Sequence, residues 1–303
     1  MKTAEKLKKI PPYLFMELRK KINKAKSEGI DVISLAIGDP VEATPESIID
    51  ELCVTSRDPL NHRYPTDEEK GMLAYRREIA KWYEARFGVT LNPENEILGL
   101  IGSKEGCHHF IIARVNPDDI VLMTDPGYPA YRSSILLGGG VPYNVPILPQ
   151  NNYLPVFEDI PTDIAQKATA MFLNYPNNPT GACATLEFLD KLVEFARTYD
   201  IAVCYDNPYS EIVFAGQQRI SFLMAKGAKD VGIELNSLSK PFNMCGWRLG
   251  MACGNPELIA AISKVKENTD SGIFNPIQYA GIKALQKEAP FVDKMIELYG
   301  KRR

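Results

Sequence analysis

The chain is poor in the side chains that usually advertise chemistry. It has three histidines, His62, His108 and His109, and two of these are adjacent, so they do not share a helix face. None of its six cysteines, Cys53, Cys107, Cys183, Cys204, Cys245 and Cys253, forms a Cys-x-x-Cys pair. Ligand spacing for a metal site is therefore missing, and no metal is expected. Several cysteines lie in apolar runs, as buried free thiols do. No apolar stretch reaches membrane-spanning length, and the start carries no secretory h-region. Charge of one sign is not in excess: 35 basic and 38 acidic side chains give a net charge of −3 over 303 residues. The basic clusters are short (Lys6, Lys8 and Lys9; Lys301-Arg302-Arg303) and read as solvated helix faces or ends, so no nucleic-acid footprint and no membrane partner are expected. Internal repeats, low-complexity linkers and a Gly-x-Gly-x-x-Gly frame after a strand are absent too. The Gly138-Gly139-Gly140 run reads as a turn. These absences leave a soluble globular protein of a reducing cytoplasm, working with ordinary polar side chains.

What is present is alternation. A composition 45% hydrophobic and 24% charged supports a large core, one big domain and a smaller piece. Short, almost wholly apolar runs cover residues 96–102, 120–124, 170–174, 201–205, 233–238 and 249–253, and they are separated by amphipathic segments. Residues 103–115 read as a helix. Thr185 opens another, with Leu186, Leu189, Leu192, Val193 and Ala196 on one face, and Asn255-Pro256-Glu257 caps a third. Strands apolar on both faces predict an α/β fold with a mostly parallel central sheet covered by helices on both sides.

Ligands of such sheets gather at the carboxyl ends of the strands, and the polar punctuation of this sequence falls there. Gly102-Ser103-Lys104 joins a strand to a helix, where backbone N–H groups suit a phosphate, although a serine there is more often only an N-cap. Asp206 ends a strand and Tyr209 follows it. An acid at that place can keep a pyridine nitrogen protonated, while standing alone it would be a turn residue. Asn178 in Asn177-Asn178-Pro179-Thr180-Gly181 is a turn amide that could donate to a ring hydroxyl. Tyr128 is either a core aromatic or a platform for a flat cofactor. The richest stretch is Ser237-Leu-Ser239-Lys240-Pro-Phe-Asn-Met-Cys-Gly-Trp-Arg248. A lysine at a strand end in an apolar site can attack a carbonyl, and the hydroxyls and guanidinium beside it suit a phosphate. Alone, the lysine and arginine would be a surface pair flanking a turn. With the other strand ends they point to a Schiff-base lysine holding a phosphorylated aldehyde, pyridoxal 5′-phosphate.

Asn178-Pro-Thr-Gly181, Asp206-x-x-Tyr209 and Ser237-x-Ser239-Lys240 with Arg248 resemble the class I/II aminotransferases, of the fold type I pyridoxal-phosphate architecture. Pro11-Pro-Tyr-Leu-Phe15, Ile37-Gly38-Asp-Pro40, Gly102-Ser-Lys-Glu-Gly106, Asp125-Pro-Gly-Tyr-Pro129 and Asn174-Tyr-Pro-Asn-Asn-Pro-Thr-Gly181 are similar, more narrowly, to bacterial LL-diaminopimelate aminotransferases, from about residue 8 onward. The resemblance implies Lys240 as covalent anchor and acid–base catalyst. It pairs Asp206 with the ring nitrogen, Tyr209 and Asn178 with the ring's phenolic oxygen, and Tyr128 with the ring face. It assigns the phosphate to Ser103, Lys104, Ser237, Ser239 and Arg248, and the substrate to Gly38, Asn178 and Tyr64. Tyr64 acts across a homodimer interface. The implied reaction moves an amino group between an amino acid and a 2-oxo acid such as 2-oxoglutarate by a ping-pong route. Residues 1–48 would form an N-terminal arm and part of a small domain, and 49–303 the large cofactor domain. Family members continue past this point into the remainder of the small domain, so a chain shortened at its C-terminus, with apolar surface exposed on residues 1–48, is expected. Two local departures stand out: Tyr64 to Gly71 is two residues longer and more charged than the family's loop, and Pro241-Phe242 replace a usual Thr-Tyr.

Other chemistries are open to part of this pattern. Ser237-x-x-Lys240 matches the Ser-x-x-Lys of penicillin-binding serine hydrolases, but it ends a strand rather than opening a helix, and the Ser-Asp-Asn and Lys-Thr-Gly partners do not occur. Pyridoxal-phosphate C–S lyases share the lysine, aspartate and tyrosine set. A cofactor-binding remnant with little activity is the third reading.

Overall fold

The computed structural model describes residues 1–12, 14–35, 38–65, 70–214 and 216–303. Tyr13, Ile37 and residues 66–69 of the motifs named above lie outside them. Seven strands form one sheet: β1 (Ile97–Leu100), β2 (Ile120–Asp125), β3 (Val141–Pro146), β4 (Ala168–Asn174), β5 (Ala202–Asp206), β6 (Gly232–Ser237) and β7 (Gly250–Gly254). The helices among the described residues are α1 (Leu14–Ser27), α2 (Glu46–Thr55), α3 (Leu73–Phe87), α4 (Ser103–Arg114), α5 (Pro129–Gly138), α6 (Thr162–Ala165), α7 (Leu186–Tyr199), α8 (Ala228–Val231), α9 (Pro256–Glu267), α10 (Asn275–Lys287) and α11 (Ala289–Arg302).

The sheet order is β1-β7-β6-β5-β4-β2-β3, with β7 antiparallel to both its neighbours and the remaining pairs parallel. The mostly parallel α/β architecture expected from the alternation is present. The sequence reading missed β3. Pro142 and Pro146 lie in it and its side chains are largely exposed or half-buried, because it is an edge strand with one free side. The caps read from sequence are in place. Thr185 Oγ1 accepts from Phe188 N–H at 3.2 Å, and Asn255 Oδ1 accepts from Glu257 and Leu258 N–H at 3.0 Å each, with Pro256 at the first helical position.

Alternation along each strand splits the core in two. Ala170 and Phe172, Ala202 and Cys204, and Ile233 and Leu235 pack with Phe110 and Ile111 of α4, Tyr131 and Ile135 of α5, and Ile259 and Ile262 of α9. Met171, Leu173, Val203 and Tyr205 face the other way, into a larger core with Ile79 and Tyr83 of α3, Leu189 and Leu192 of α7, and Ala280 and Ala284 of α10. Before α2 the chain buries little: α1 has no buried residue, and Leu7, Leu14, Met16, Ile30, Ile33, Leu35 and Val41 are exposed.

Candidate active site

Strand direction and parity build the site. β1 and β6 both pair antiparallel with β7, so β1 runs with β6 and with the parallel strands beyond it. The carboxyl ends of β1, β4, β5 and β6 therefore share one edge, and β7 begins there: Gly250 faces both Leu100 and Ser237. Asn174 sits opposite Asp206, and Asp206 opposite Leu235. Asn174, Asp206 and Ser237 continue the parity of Phe172, Cys204 and Leu235, so they emerge on the side of α4 and α5. Residues far apart in sequence (102–103, 174, 206, 237 and 248) meet at that edge.

At one end stands an anion cradle. Gly102 precedes α4 at φ 80°, ψ 157°, a region essentially open only to glycine, and a Cβ there would collide with the Arg248 guanidinium. The N-terminus of α4 offers backbone N–H groups of Ser103 and Lys104 and the positive end of its dipole. Arg248 is held at φ 57°, a left-handed conformation costing a non-glycine residue roughly 1 kcal/mol, and its Nη1 donates to Cys245 O at 2.8 Å. Ser237 Oγ lies 2.9 Å from Ser239 Oγ, both buried. A helix N-terminus and two hydroxyls, with a guanidinium that packs against Gly102 only because the glycine has no side chain, are suited to a phosphate.

At the other end is Asp206, 4% exposed. Its Oδ2 accepts from the Tyr131 hydroxyl at 2.7 Å, while its buried Oδ1 has no hydrogen-bond partner among the described residues. Burial pushes this carboxyl up to about 6, against the pull of the Tyr131 and Ser103 hydroxyls. An acid with one unused oxygen is poised for a cationic N–H. Asn174 Nδ2 donates to Asp206 O at 2.7 Å and its Oδ1 accepts from Asn178 N–H at 2.6 Å, which fixes the turn carrying Asn178. Tyr209 is pushed up to about 12, first by burial and then by the Asp206 charge, against the pull of the Asn178 side chain, so its phenol is a hydrogen-bond donor at neutral pH. Half-buried Tyr128 stands edge-on to Tyr131, ring centroids 5.5 Å apart, and Tyr131 stacks on Phe172 at 4.7 Å.

Lys240 is half-buried at the mouth. Its Nζ donates to Gly38 O at 2.6 Å and lies 3.5 Å from Cys245 Sγ. It opens into a cleft of ≈ 260 Å³ lined by Gly38, Asp39, Val41, Tyr209, Tyr299 and Arg302, among others. Gly38 faces open space where a side chain would stand.

The structure thus gathers Gly38, Ser103, Asn178, Asp206, Tyr209, Ser237, Ser239, Lys240 and Arg248, with Lys104 and Tyr128 on the adjoining helix starts. Tyr64 is not brought in: it is 77% exposed, and no hydrogen bond joins it to the cluster among the described residues. Pro241 and buried Phe242 follow the lysine, Phe242 joining the larger core. Sequence reasoning missed Tyr131, Asn174 and Cys245. No local sequence signal marks Tyr131, whose partner Asp206 lies 75 residues away.

An orphaned buried carboxylate oxygen, a phosphate cradle and a lysine amine between them fit pyridoxal phosphate. The chain belongs to the class I and II aminotransferases, whose family model matches residues 30–303. It is a pyridoxal-phosphate-dependent transferase of fold type I. It is 51% identical to the LL-diaminopimelate aminotransferase of Halothermothrix orenii and 50% identical to that of Moorella thermoacetica, covering all of this chain and 77% of each relative. Among solved structures it resembles substrate-bound BacF from Bacillus subtilis (TM-score 0.94, 36% identity, all of this chain and 76% of that one). The aspartate aminotransferase of Thermus thermophilus with maleate is also similar (TM-score 0.91, 26% identity, all of this chain and 78% of that one).

Proposed function

We propose that this aminotransferase takes its amino group from LL-diaminopimelate, or a closely similar amino acid, and passes it to a 2-oxo acid such as 2-oxoglutarate in two alternating half-reactions. Relatives named LL-diaminopimelate aminotransferase at about 50% identity over the whole chain support the donor. The observation that carries the chemistry is the spare Oδ1 of Asp206, on the same sheet edge as Lys240. Bound there, pyridoxal phosphate supplies an electron-withdrawing ring that stabilises negative charge at a substrate α-carbon.

The residues divide the remaining work. Asp206 keeps the ring nitrogen protonated. Lys240 anchors the cofactor through Nζ and serves as the base at the substrate α-carbon. Ser103, Lys104, Ser237, Ser239 and Arg248 hold the phosphate. Tyr209 and Asn178 bond the ring's phenolic oxygen, and Tyr128 covers its face. Gly38, with no side chain, leaves the cleft open for a carboxylate. Exposed Tyr64 reaches the site of a second copy in a homodimer, and residues 1–48 belong to the arm and small domain rather than to the cofactor domain, 49–303. Three buried free thiols, Cys107, Cys204 and Cys253, suit a reducing cytoplasm.

The test is spectroscopic. Purified chain loaded with cofactor is titrated with LL-diaminopimelate and then with 2-oxoglutarate. Conversion of the bound cofactor to its amine form and back supports the reading. Pyruvate and ammonia released from a sulfur amino acid, with no amine form, would replace it with C–S lyase chemistry. Lys240→Ala should leave no cofactor fixed to protein by borohydride; a retained adduct would mean another lysine is the anchor.

A further inference from the structure

Beneath the phosphate cradle lies a buried charge cluster with no part in the chemistry above. Lys266, on α9, is 0% exposed, and its Nζ donates to Glu105 Oε1 at 2.8 Å and to Asp270 Oδ1 and Oδ2 at 3.0 Å. Glu105 is the third residue of α4, and its Oε2 accepts from the backbone N–H of Ile101, the residue before Gly102. Asp270 Oδ1 also accepts from Gly272 N–H at 2.8 Å. His109 is the other titratable group facing Glu105, with Nδ1 3.5 Å from Oε1. Burial and the Lys266 charge pull His109 down to about 4, so it is neutral and cannot share the lysine's task.

A buried ion pair is usually no better for stability than apolar side chains of the same size, so stability alone does not call for a lysine here. The position of Glu105 does. A carboxylate in the first turn of α4 favours the helix itself, yet it sits where the same N-terminus must attract a phosphate, and like charges there oppose each other. We propose that Lys266 is a positioning residue for the phosphate cradle: shared between Glu105 and Asp270, it offsets the negative charge that Glu105 brings to the helix N-terminus while leaving Oε2 to fix the Ile101–Gly102 turn. This rests on the phosphate reading of Gly102, Ser103 and Arg248.

The experiment compares the affinity of the full chain for pyridoxal phosphate and for pyridoxal, which lacks only the phosphate. Lys266→Met should lower affinity for the phosphorylated form about tenfold, the size of effect a charge near a helix N-terminus produces, and leave pyridoxal binding unchanged. Lys266→Arg should keep both, and the double variant Glu105→Gln/Lys266→Met should recover the lost affinity. A parallel fall for both ligands, or no change in either, overturns the proposal. If Lys266→Met does not fold, Glu105→Gln alone still decides: undiminished affinity for the phosphorylated form supports charge cancellation, and a phosphate-specific fall overturns it. A wild-type chain that binds the two ligands equally well would remove the cradle reading itself, and the proposal with it.

Discussion

Two buried carboxylates sit on neighbouring strands and face opposite sides of the sheet. Glu234 of β6 points into the larger core, 0% exposed, and both its oxygens are occupied. Oε1 accepts from Tyr83 at 2.8 Å, and Oε2 accepts from Ser221 Oγ at 2.8 Å and Phe222 N–H at 2.6 Å. Asp206 of β5 is nearly as buried, but among the described residues its Oδ2 accepts from Tyr131 while its Oδ1 has no hydrogen-bond partner. Burial raises both acids, Glu234 to about 7 and Asp206 to about 6. A shifted carboxyl is therefore no mark of function by itself. The mark is incomplete satisfaction: the protein saturates the acid that ties α3 to the sheet and leaves the other one bond short, where a ligand can supply it.

The comparison is broken most forcefully at Asp206. Asp206→Asn should reduce turnover by about 10²–10³-fold, as loss of a preorganised charge does, with no fall in the thermal midpoint of the cofactor-free protein. A variant that loses stability and keeps turnover would reverse the assignment. Glu234→Ala should do the opposite. It strands the donors of Tyr83, Ser221 and Phe222 in the core, at a cost of about 3 kcal/mol, read as a lower denaturation midpoint with unchanged activity per folded molecule. The two acids can then be separated by pH. Glu234 has a folded value above its usual 4.5, so the native state holds the proton more tightly than the unfolded chain. Its contribution is fully favourable below pH 4.5 and is lost as pH rises towards about 7. Glu234→Gln should flatten that fall in the stability–pH curve; an unaltered curve would mean that another group titrates there. The smallest effect belongs to Tyr131→Phe. Removing the hydroxyl that holds Asp206 down should move the acid limb of kcat/KM to higher pH. The activity loss should be severalfold near pH 6, in line with about 1 kcal/mol for one hydrogen bond, and should fade by pH 8.

Much of this site could be read from the chain because strand ends concentrate polar residues. Ser103, Asn178, Asp206, Ser237 and Lys240 each follow an apolar run, Arg248 immediately precedes one, and six of the seven strands were visible as such runs. What escaped detection depends on the third dimension. Tyr131 lies inside a helix that looks ordinary until α5 is laid over β5, and nothing local marks its hydroxyl as the partner of Asp206. The edge strand β3 hides because its burial is slight and it contains prolines. The reversed direction of β7 has no sequence signature of its own, yet it is what keeps Arg248, just before the strand, at the edge where Ser237 ends. Lys266 resembles any solvated helix lysine, with Lys264 two residues before it, and only packing against α4 shows it to be enclosed.

That reversal of β7 has one more consequence. Ser237 and Gly250 are locked opposite each other across β6 and β7, so residues 238–249 form a span with both ends pinned. Lys240 lies near its start and Arg248 at its finish, which makes the span a gauge block setting the separation between the amine and the guanidinium. Side chains along it can vary, but a single inserted or deleted residue would have to be absorbed between those two groups. Of all the connections in the molecule, this is the one in which relatives with the same cofactor should keep the same number of residues.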